Sequence, residues 1–150
     1  MLNNQNTNIY QNQFPSSKHS KKNIVDAVTN FIKHEKIGLR IRYEELYLAL
    51  DEAITNAMEH GNKWSSSKNV HISISVDRSH LVIIVTDDGK GFNYNELKMT
   101  LSEENRFKRR GRGLFIINQF CHIEWNEKGN QIIMNFELSS WVCQAKKKVG

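Results

Sequence analysis

Residues 44–62, EELYLALDEAITNAMEHGN, carry the pattern that decides the fold of this chain. Apolar residues recur every three or four positions and predict one buried stripe on a helix over 44–61: Leu46, Leu50, Ala53, Ile54 and Ala57. Glu52 and Asn56 are four positions apart, so their side chains would lie one turn apart on a flank that the core need not cover. Gly61 stands where a left-handed residue would end the helix.

A carboxylate and a carboxamide held one turn apart can act together. The oxygen of Asn56 is a hard ligand suited to Mg²⁺, and the carboxylate of Glu52 could orient or deprotonate a hydroxyl. The ordinary interpretation is that both side chains are solvated, and this helix alone does not exclude it. His60 by itself is more typical of a packed, hydrogen-bonded side chain than of a ligand.

The composition indicates one soluble domain. The chain has 150 residues, enough for one core and too few for two ordinary domains. No apolar run approaches 18 residues, so we expect no membrane span, and the opening MLNNQNTN lacks the layout of a signal peptide. Cys121 and Cys143 make neither a disulfide framework nor a metal cluster, which favours a reduced, cytoplasmic protein.

The formal net charge of +5 hints at nucleic acid, but its distribution argues against direct nucleic-acid binding. Basic residues concentrate at Lys18–Lys22 and Lys146–Lys148. Neither cluster is interleaved with aromatic stacking residues, as a single-strand binder would require.

The remaining elements follow from periodicity and turn residues. Residues 1–8 are rich in Asn and Gln and are expected to be disordered, and 139–150 form a tail. Strands are predicted at 9–14, 70–76, 81–86, 122–126 and 131–138. Helices are predicted at 20–36, with Ser17 or Ser20 as its cap, and at 44–61 and 112–120.

The second central strand runs into Asp87-Asp88-Gly89-Lys90-Gly91-Phe92. Glycines at alternate positions let a backbone approach a flat or phosphorylated ligand closely. An Asp at the strand end can accept a hydrogen bond from an exocyclic amine. Asp and Gly also populate ordinary turns, so this segment alone is a weak signal.

Residues 93–110 lose apolar periodicity and end in the basic run Arg106-Phe107-Lys108-Arg109-Arg110. A loop of this length inside a compact domain is typical of a lid. Gly111-Arg112-Gly113 then opens a helix, and a helix start presents N–H groups and a positive dipole end that suit phosphates. The basic run could equally be a solvated patch.

Three of these segments together resemble the ATP boxes of the GHKL superfamily (gyrase, heat-shock chaperone, histidine kinase, MutL). They are Glu52-x-x-x-Asn56, Asp87-x-Gly89-x-Gly91-Phe92 and Gly111-x-Gly113-Leu114, in the family's order and spacing. The segments ALDEAITNAMEHGN and GRGLF are most similar to those of the stand-alone anti-sigma-factor serine/threonine kinases. The resemblance covers 9–138 and implies an α/β (α+β) two-layer sandwich of the Bergerat type. A mixed, mostly antiparallel sheet would carry helices on one face and an ATP lid.

The resemblance also implies roles for single residues. Asn56 would bind Mg²⁺ between the phosphates, Glu52 would activate the attacking hydroxyl, and Asp87 would bind the adenine amino group. The further nucleotide contacts would be Gly89, Lys90, Gly91, Phe92, Arg110, Gly111, Arg112, Gly113 and Leu114. Which of Arg109, Arg110 and Arg112 reaches the phosphates stays open.

One position departs from the family pattern. The family often has Thr after the glycine of the last hairpin, near adenine, and here Asn130 or Gln131 fills that place. One adenine contact is therefore in question.

By the same resemblance, the protein would bind Mg-ATP and phosphorylate a serine or threonine of a STAS-like anti-anti-sigma partner. It would alternately sequester a sigma factor, as a homodimer. The alternatives are a nucleotide-dependent binding module without kinase activity and a detached ATP-binding domain of a two-component histidine kinase. Glu52 argues against the first. The second would need a dimerising helical hairpin that the residues before Glu44 leave little room for.

Overall fold

The computed structural model describes residues 6–91 and 109–139, with the backbone alone at 109–112. The strands are β1 Thr7–Pro15, β2 Asn69–Val76, β3 His80–Asp87, β4 His122–Trp125 and β5 Gln131–Glu137. The helices are α1 Lys18–His34, α2 Tyr43–Asn56 and α3 Arg109–Phe120. A π-helical turn, Ala57–Gly61, continues α2 without a break.

The strands form one sheet in the order β1-β2-β3-β5-β4. All four pairings among these described strands are antiparallel. Along β2 the side chains alternate between buried and partly exposed, as its period-two pattern predicts. The two-layer α/β sandwich is therefore confirmed, and the described part of its sheet is antiparallel throughout rather than mixed.

Helix α2 is the centre of the helical layer. It packs against both α1 and α3, and its apolar stripe is buried as predicted, with Leu46, Leu50 and Ile54 at 0% exposure. Across the layer boundary these side chains join the inward residues of β2, β3 and β5 in one core. The core fixes the roll of α2 about its axis, so the opposite flank faces away from the sheet.

Several boundaries differ from the predicted ones. β1 begins at Thr7, two residues early. α1 begins at Lys18, because Ser17 is the cap and its Oγ accepts a hydrogen bond from the Ser20 N–H at 3.0 Å. α3 begins at Arg109, so its predicted start at 112 is wrong and Gly111 lies within its first turn. The predicted lid lies outside the described residues except for 109 and 110, which are helical.

The end of the central helix also differs from its prediction. The Asn62 N–H donates to the Ala57 carbonyl at 2.8 Å, a bond five residues back instead of four. Among the described glycines, positive φ occurs at Gly91 and Gly129 and not at Gly61. The predicted left-handed ending at Gly61 is therefore wrong, and the reason for a glycine there is a contact described below.

No helix in ranges 6–91 and 109–139 combines the length and the apolar character needed to cross a membrane.

The burial of α2 yields a stability prediction. Leu50→Ala removes a side chain with no exposed surface and should lower the free energy of unfolding by about 2–5 kcal/mol. Leu48→Ala is the matched control on the same helix, because Leu48 is 40% exposed, and it should change stability by less than about 1 kcal/mol. Urea denaturation measures both variants. Equal losses would contradict the orientation of α2.

Candidate functional site

The flank of α2 that carries Glu52 and Asn56 faces the start of α3 across a small cavity. Glu52 and Asn56 line it from α2, and Gly113 and Leu114 line it from α3. A methyl group added at Gly113 would lie 2.6 Å from Glu52 Oε2, so the α3 backbone closely approaches that carboxylate. The cavity measures about 30 Å³, which is room for a single water molecule or ion.

Asn56 supplies the most informative atom in this cavity. Its Oδ1 is buried and accepts no hydrogen bond from the described residues. A buried acceptor without a donor is unfavourable by about 1–3 kcal/mol, so such an atom calls for an explanation. A carboxamide oxygen is a suitable Mg²⁺ ligand, and Mg²⁺ commonly takes one or two protein oxygens and completes its shell with waters and phosphates.

No group of three or more His, Cys, Asp or Glu side chains that could hold a metal ion occurs in the described ranges.

Asp87, the last residue of β3, lies beside Gly61 at the end of the π turn that continues α2. It is 6% exposed, and its Oδ1 accepts a hydrogen bond from the Gly89 N–H at 2.8 Å. A side chain at Gly61 would overlap the Asp87 carboxyl group, so Gly61 allows the π turn and the strand end to touch. This contact joins the end of β3 to the π turn that follows Asn56.

Close contacts within the chain also explain the two glycines after Asp87. A side chain at Gly89 would overlap the Gly61 carbonyl, and one at Gly91 would overlap the Lys128 carbonyl. Gly91 also has φ 76°, which L side chains rarely adopt. Direct approach of a nucleotide to these glycines stays a prediction.

The turn between β4 and β5 also binds Asp87, through Asn130. The Asp87 N–H donates to the Asn130 carbonyl at 2.9 Å, and Asn130 Nδ2 donates to the Asp87 carbonyl at 2.9 Å. Gln131 instead donates from Nε2 to Thr86 Oγ1 at 3.0 Å. Of the two residues that could occupy the place of the family's Thr, Asn130 is therefore the one that contacts Asp87.

Asn130 is itself held by Asn126. The Asn126 Nδ2 donates to Asn130 Oδ1 at 2.7 Å, and Asn126 Oδ1 accepts from the Gly129 and Asn130 N–H groups at 2.9 and 3.1 Å. This turn of amide groups is an ordered support for the end of β3.

Sequence reasoning missed Gly61 as a contact residue and missed Asn62, and it left open the choice between Asn130 and Gln131. Asn62 is fully buried, and its Oδ1 accepts a hydrogen bond from the Asp88 N–H at 2.8 Å. A polar carboxamide directly after the apolar helix was the available signal for Asn62. Its partner lies 26 positions along the chain, so no local pattern could name that partner.

The other predicted residues are only partly placed. Lys90 is exposed after the β3 loop, and Phe92 lies outside the described residues. Arg110 and Arg112 lie on the first turn of α3, where only the backbone is described. The structure therefore does not assign an arginine to the phosphates.

A larger cavity of about 460 Å³ lies on the face of the sheet opposite the described helices. Its walls are mainly uncharged polar side chains, among them Gln11, Gln13, Ser73, Thr86 and Gln131, together with His71. Volume alone favours this groove as a ligand site. We favour the smaller cavity, because it holds the adjacent acid and carboxamide and a buried oxygen with no hydrogen-bond partner among the described residues.

The α/β sandwich and this clustering of acid, carboxamide and glycines define an ATPase domain of the histidine-kinase type. A family model described as "Histidine kinase-like ATPase domain" matches residues 14–136, and the chain belongs to this family. The resemblance to the GHKL superfamily is thereby confirmed.

Individual relatives fall in the anti-sigma branch and beyond it. The chain is 31% identical over 80 residues to the serine-protein kinase RsbW of Oceanobacillus iheyensis, covering 49% of this chain and 51% of that protein. It is 29% identical over 102 residues to the anti-sigma F factor of Clostridium perfringens, covering 64% and 73%. It is 26% identical over 85 residues to the histidine-protein kinase/phosphatase DegS of Brevibacillus brevis, covering 56% and 22%. The match thus spans about half the length of the RsbW relative.

The contact between Gly61 and Asp87 yields a prediction. Gly61→Ala should lower the free energy of unfolding by about 1–3 kcal/mol, because the new methyl group meets a buried carboxyl group and overpacks the contact. Gly113→Ala is the matched control, since its methyl group meets only the tip of the Glu52 side chain, which can rotate away. Thermal and urea unfolding measure both. A larger loss for Gly113→Ala would contradict the packing of α2 on β3.

Asp88 yields a prediction on pH dependence. Hydrogen bonds from the Asn69 N–H at 2.8 Å and from His71 at 3.0 Å hold the pKa of the Asp88 carboxyl group below its usual value. A lowered folded-state pKa stabilises the fold above the unfolded pKa, and this stabilisation disappears as the pH falls through the folded pKa. Asp88→Ala should therefore lose about 1 kcal/mol or less at pH 7, because the side chain is 41% exposed.

The same difference should shrink steadily below about pH 4. Urea denaturation between pH 7 and pH 3 measures it, with the exposed turn residue Glu127, changed to Ala, as control. A difference that grows towards pH 3 would contradict the assignment.

Proposed function

We propose that this chain binds Mg-ATP and transfers the γ-phosphoryl group to a serine or threonine of a partner protein that resembles a STAS-domain anti-anti-sigma factor. The observation that carries the proposal is the buried Asn56 Oδ1, which has no hydrogen-bond partner in the part of the chain that the structure describes and lies one helical turn from Glu52, beside the start of α3. Membership of the histidine kinase-like ATPase family supports the nucleotide part.

In this proposal the two α2 side chains divide the chemistry. Asn56 Oδ1 is the protein's ligand to Mg²⁺, which when bound neutralises phosphate charge. Glu52 accepts the proton of the partner's hydroxyl group as its oxygen bonds to the γ-phosphorus. The bond from that phosphorus to the β–γ bridging oxygen breaks, and ADP departs. Phosphoryl transfer depends mainly on such positioning and charge neutralisation, and little covalent chemistry is asked of the protein.

The adenine end would be bound at the close of β3. The Asp87 carboxylate accepts a hydrogen bond from the exocyclic amino group, and the chain after it, Gly89, Lys90, Gly91 and Phe92, borders the base. The start of α3, from Arg110 through Gly111, Arg112 and Gly113 to Leu114, lies at the phosphates. Its backbone N–H groups there belong to the first turn of a helix, where free donors and a positive dipole end favour anions.

The partner assignment rests on the relatives. Two of them are named serine-protein kinase RsbW and anti-sigma F factor. To these names we add the circuit that the resemblance to the anti-sigma-factor kinases implies. Phosphorylation of the anti-anti-sigma partner releases it, and the kinase, as a homodimer in the cytoplasm, then holds a sigma factor.

Two substitutions on α2 separate binding from catalysis. Asn56→Ala should abolish Mg²⁺-dependent ATP binding in titration calorimetry, because it removes the carboxamide oxygen that the proposal assigns to Mg²⁺ in this cavity. Glu52→Ala should keep binding and lower transfer at least about 100-fold, the usual contribution of a general base. The assay follows labelled phosphate from ATP to a STAS-domain protein and tests its acid stability.

Asp51→Ala is the matched control, because Asp51 is a neighbouring carboxylate on α2 that pairs with Lys21 at 3.3 Å. It should retain both ATP binding and transfer. Full activity of Glu52→Ala would contradict its role as the base. ATP binding without transfer in the unaltered protein would indicate a binding module, and acid-labile phosphohistidine would indicate a histidine kinase; either result would overturn the proposal.

A further inference from the structure

Asn62 is a buried carboxamide that joins three parts of the chain. It has no exposed surface and directly follows the π turn. Its Nδ2 donates to Ser16 Oγ at 2.6 Å and to the Asn69 carbonyl at 2.9 Å. Its Oδ1 accepts from the Asp88 N–H at 2.8 Å. Both amide hydrogens and one oxygen lone pair are thus used within the fold.

Asp88 is held through both its backbone N–H and its side chain. Asn62 binds its backbone N–H, while its carboxylate accepts hydrogen bonds from the Asn69 N–H and from His71 Nε2. The peptide unit that joins Asp87 to Asp88 therefore has little freedom to rotate. Asn130 Nδ2 binds the carbonyl of the same peptide unit at 2.9 Å, so Asn62 and Asn130 hold its two polar groups. This peptide unit is bonded to the Asp87 Cα, from which the carboxyl group projects, and the Gly89 N–H binds that carboxyl group directly.

We propose that Asn62 is a positioning residue for nucleobase selection, which acts by fixing the Asp87–Asp88 peptide unit through the Asp88 N–H. The proposal rests on the proposed function, in which the Asp87 carboxylate binds the exocyclic amino group of adenine. Asn62 does not touch the nucleotide and takes no part in phosphoryl transfer.

The position calls for a carboxamide. An aliphatic residue would leave the Asp88 N–H and the Asn69 carbonyl without their buried partner, which is strongly disfavoured. An aspartate would keep an acceptor for Asp88 but could not donate to Asn69. Among side chains of this size, only Asn supplies one acceptor and two donors.

Ser16 offers a control for a purely structural role of Asn62. Ser16→Ala removes one partner of the same carboxamide and leaves its bond to Asp88 in place. Both Ser16→Ala and Asn62→Ala should lower the melting temperature. Only Asn62→Ala should change the choice of nucleobase.

The experiment measures the affinity of the full chain for Mg-ATP and for Mg-ITP, which carries an oxygen in place of the adenine amino group. We expect Asn62→Ala to weaken ATP binding about tenfold and ITP binding less than about twofold, consistent with the loss of one well-directed hydrogen bond. Asn62→Asp, which keeps the acceptor for Asp88, should restore the preference for ATP. Equal weakening of both nucleotides, or the same loss of preference in Ser16→Ala, would overturn the proposal.

A nucleotide-free measurement separates this proposal from the proposed function. Hydrogen exchange of the Asp88 amide should be at least about tenfold faster in Asn62→Ala than in Ser16→Ala. Unchanged exchange would overturn the role of Asn62 even if ATP binds as proposed. Failure of the unaltered protein to bind either nucleotide would overturn the proposed function, whereas the exchange result would still report on the Asn62–Asp88 bond. Should the alanine variant not fold, the shorter polar variant Asn62→Ser replaces it with the same expected results.

Discussion

The contact on which the candidate site depends is the approach of the Asp87 carboxyl group to Gly61. It joins the end of β3 to the end of the central helix with no side chain between them. Gly89, two residues after Asp87, also packs closely against this turn, because a side chain there would overlap the Gly61 carbonyl. Because both sides of the contact are backbone or a short acid, the strand end cannot move independently of the helix that carries Glu52 and Asn56.

This junction lets a single helix serve two purposes. The apolar stripe of α2 lies in the core between the sheet and its neighbouring helices, whereas Glu52 and Asn56 occupy the flank that faces α3. Burial of the stripe fixes the direction of that flank. The π turn then carries the chain past Asp87 and delivers Asn62 into the same polar cluster. Such turns are rare in helices and recur at functional sites.

Most of the fold follows from local patterns, and what the sequence did not predict has physical causes. The stripe of α2 and the alternation of β2 predict their elements because each repeats with the period of its structure. The π turn has no such signal, since it changes backbone bonding and leaves the apolar spacing intact. The start of α3 was misplaced because the basic run before Gly111 has no apolar period.

For the site, short sequence segments predicted the candidate residues but not the residues that hold them in place. Glu52, Asn56 and Asp87 lie in short recognisable segments. The choice between Asn130 and Gln131 depended on strand register, because Gln131 pairs with Thr86 and Asn130 therefore lies opposite Asp87. The partner of Asn62 is distant in sequence and becomes visible only when β3 and the π turn meet.

The most direct test of the central claim is the map of backbone amide shifts in the NMR spectrum as Mg-ATP is added. Binding between α2, the end of β3 and α3 predicts the largest shifts at Gly61, Gly89 and Gly113, with little change at Gln13 and Ser73 on the sheet face opposite the described helices. Shifts confined to that opposite face, or none at millimolar Mg-ATP, would contradict the account.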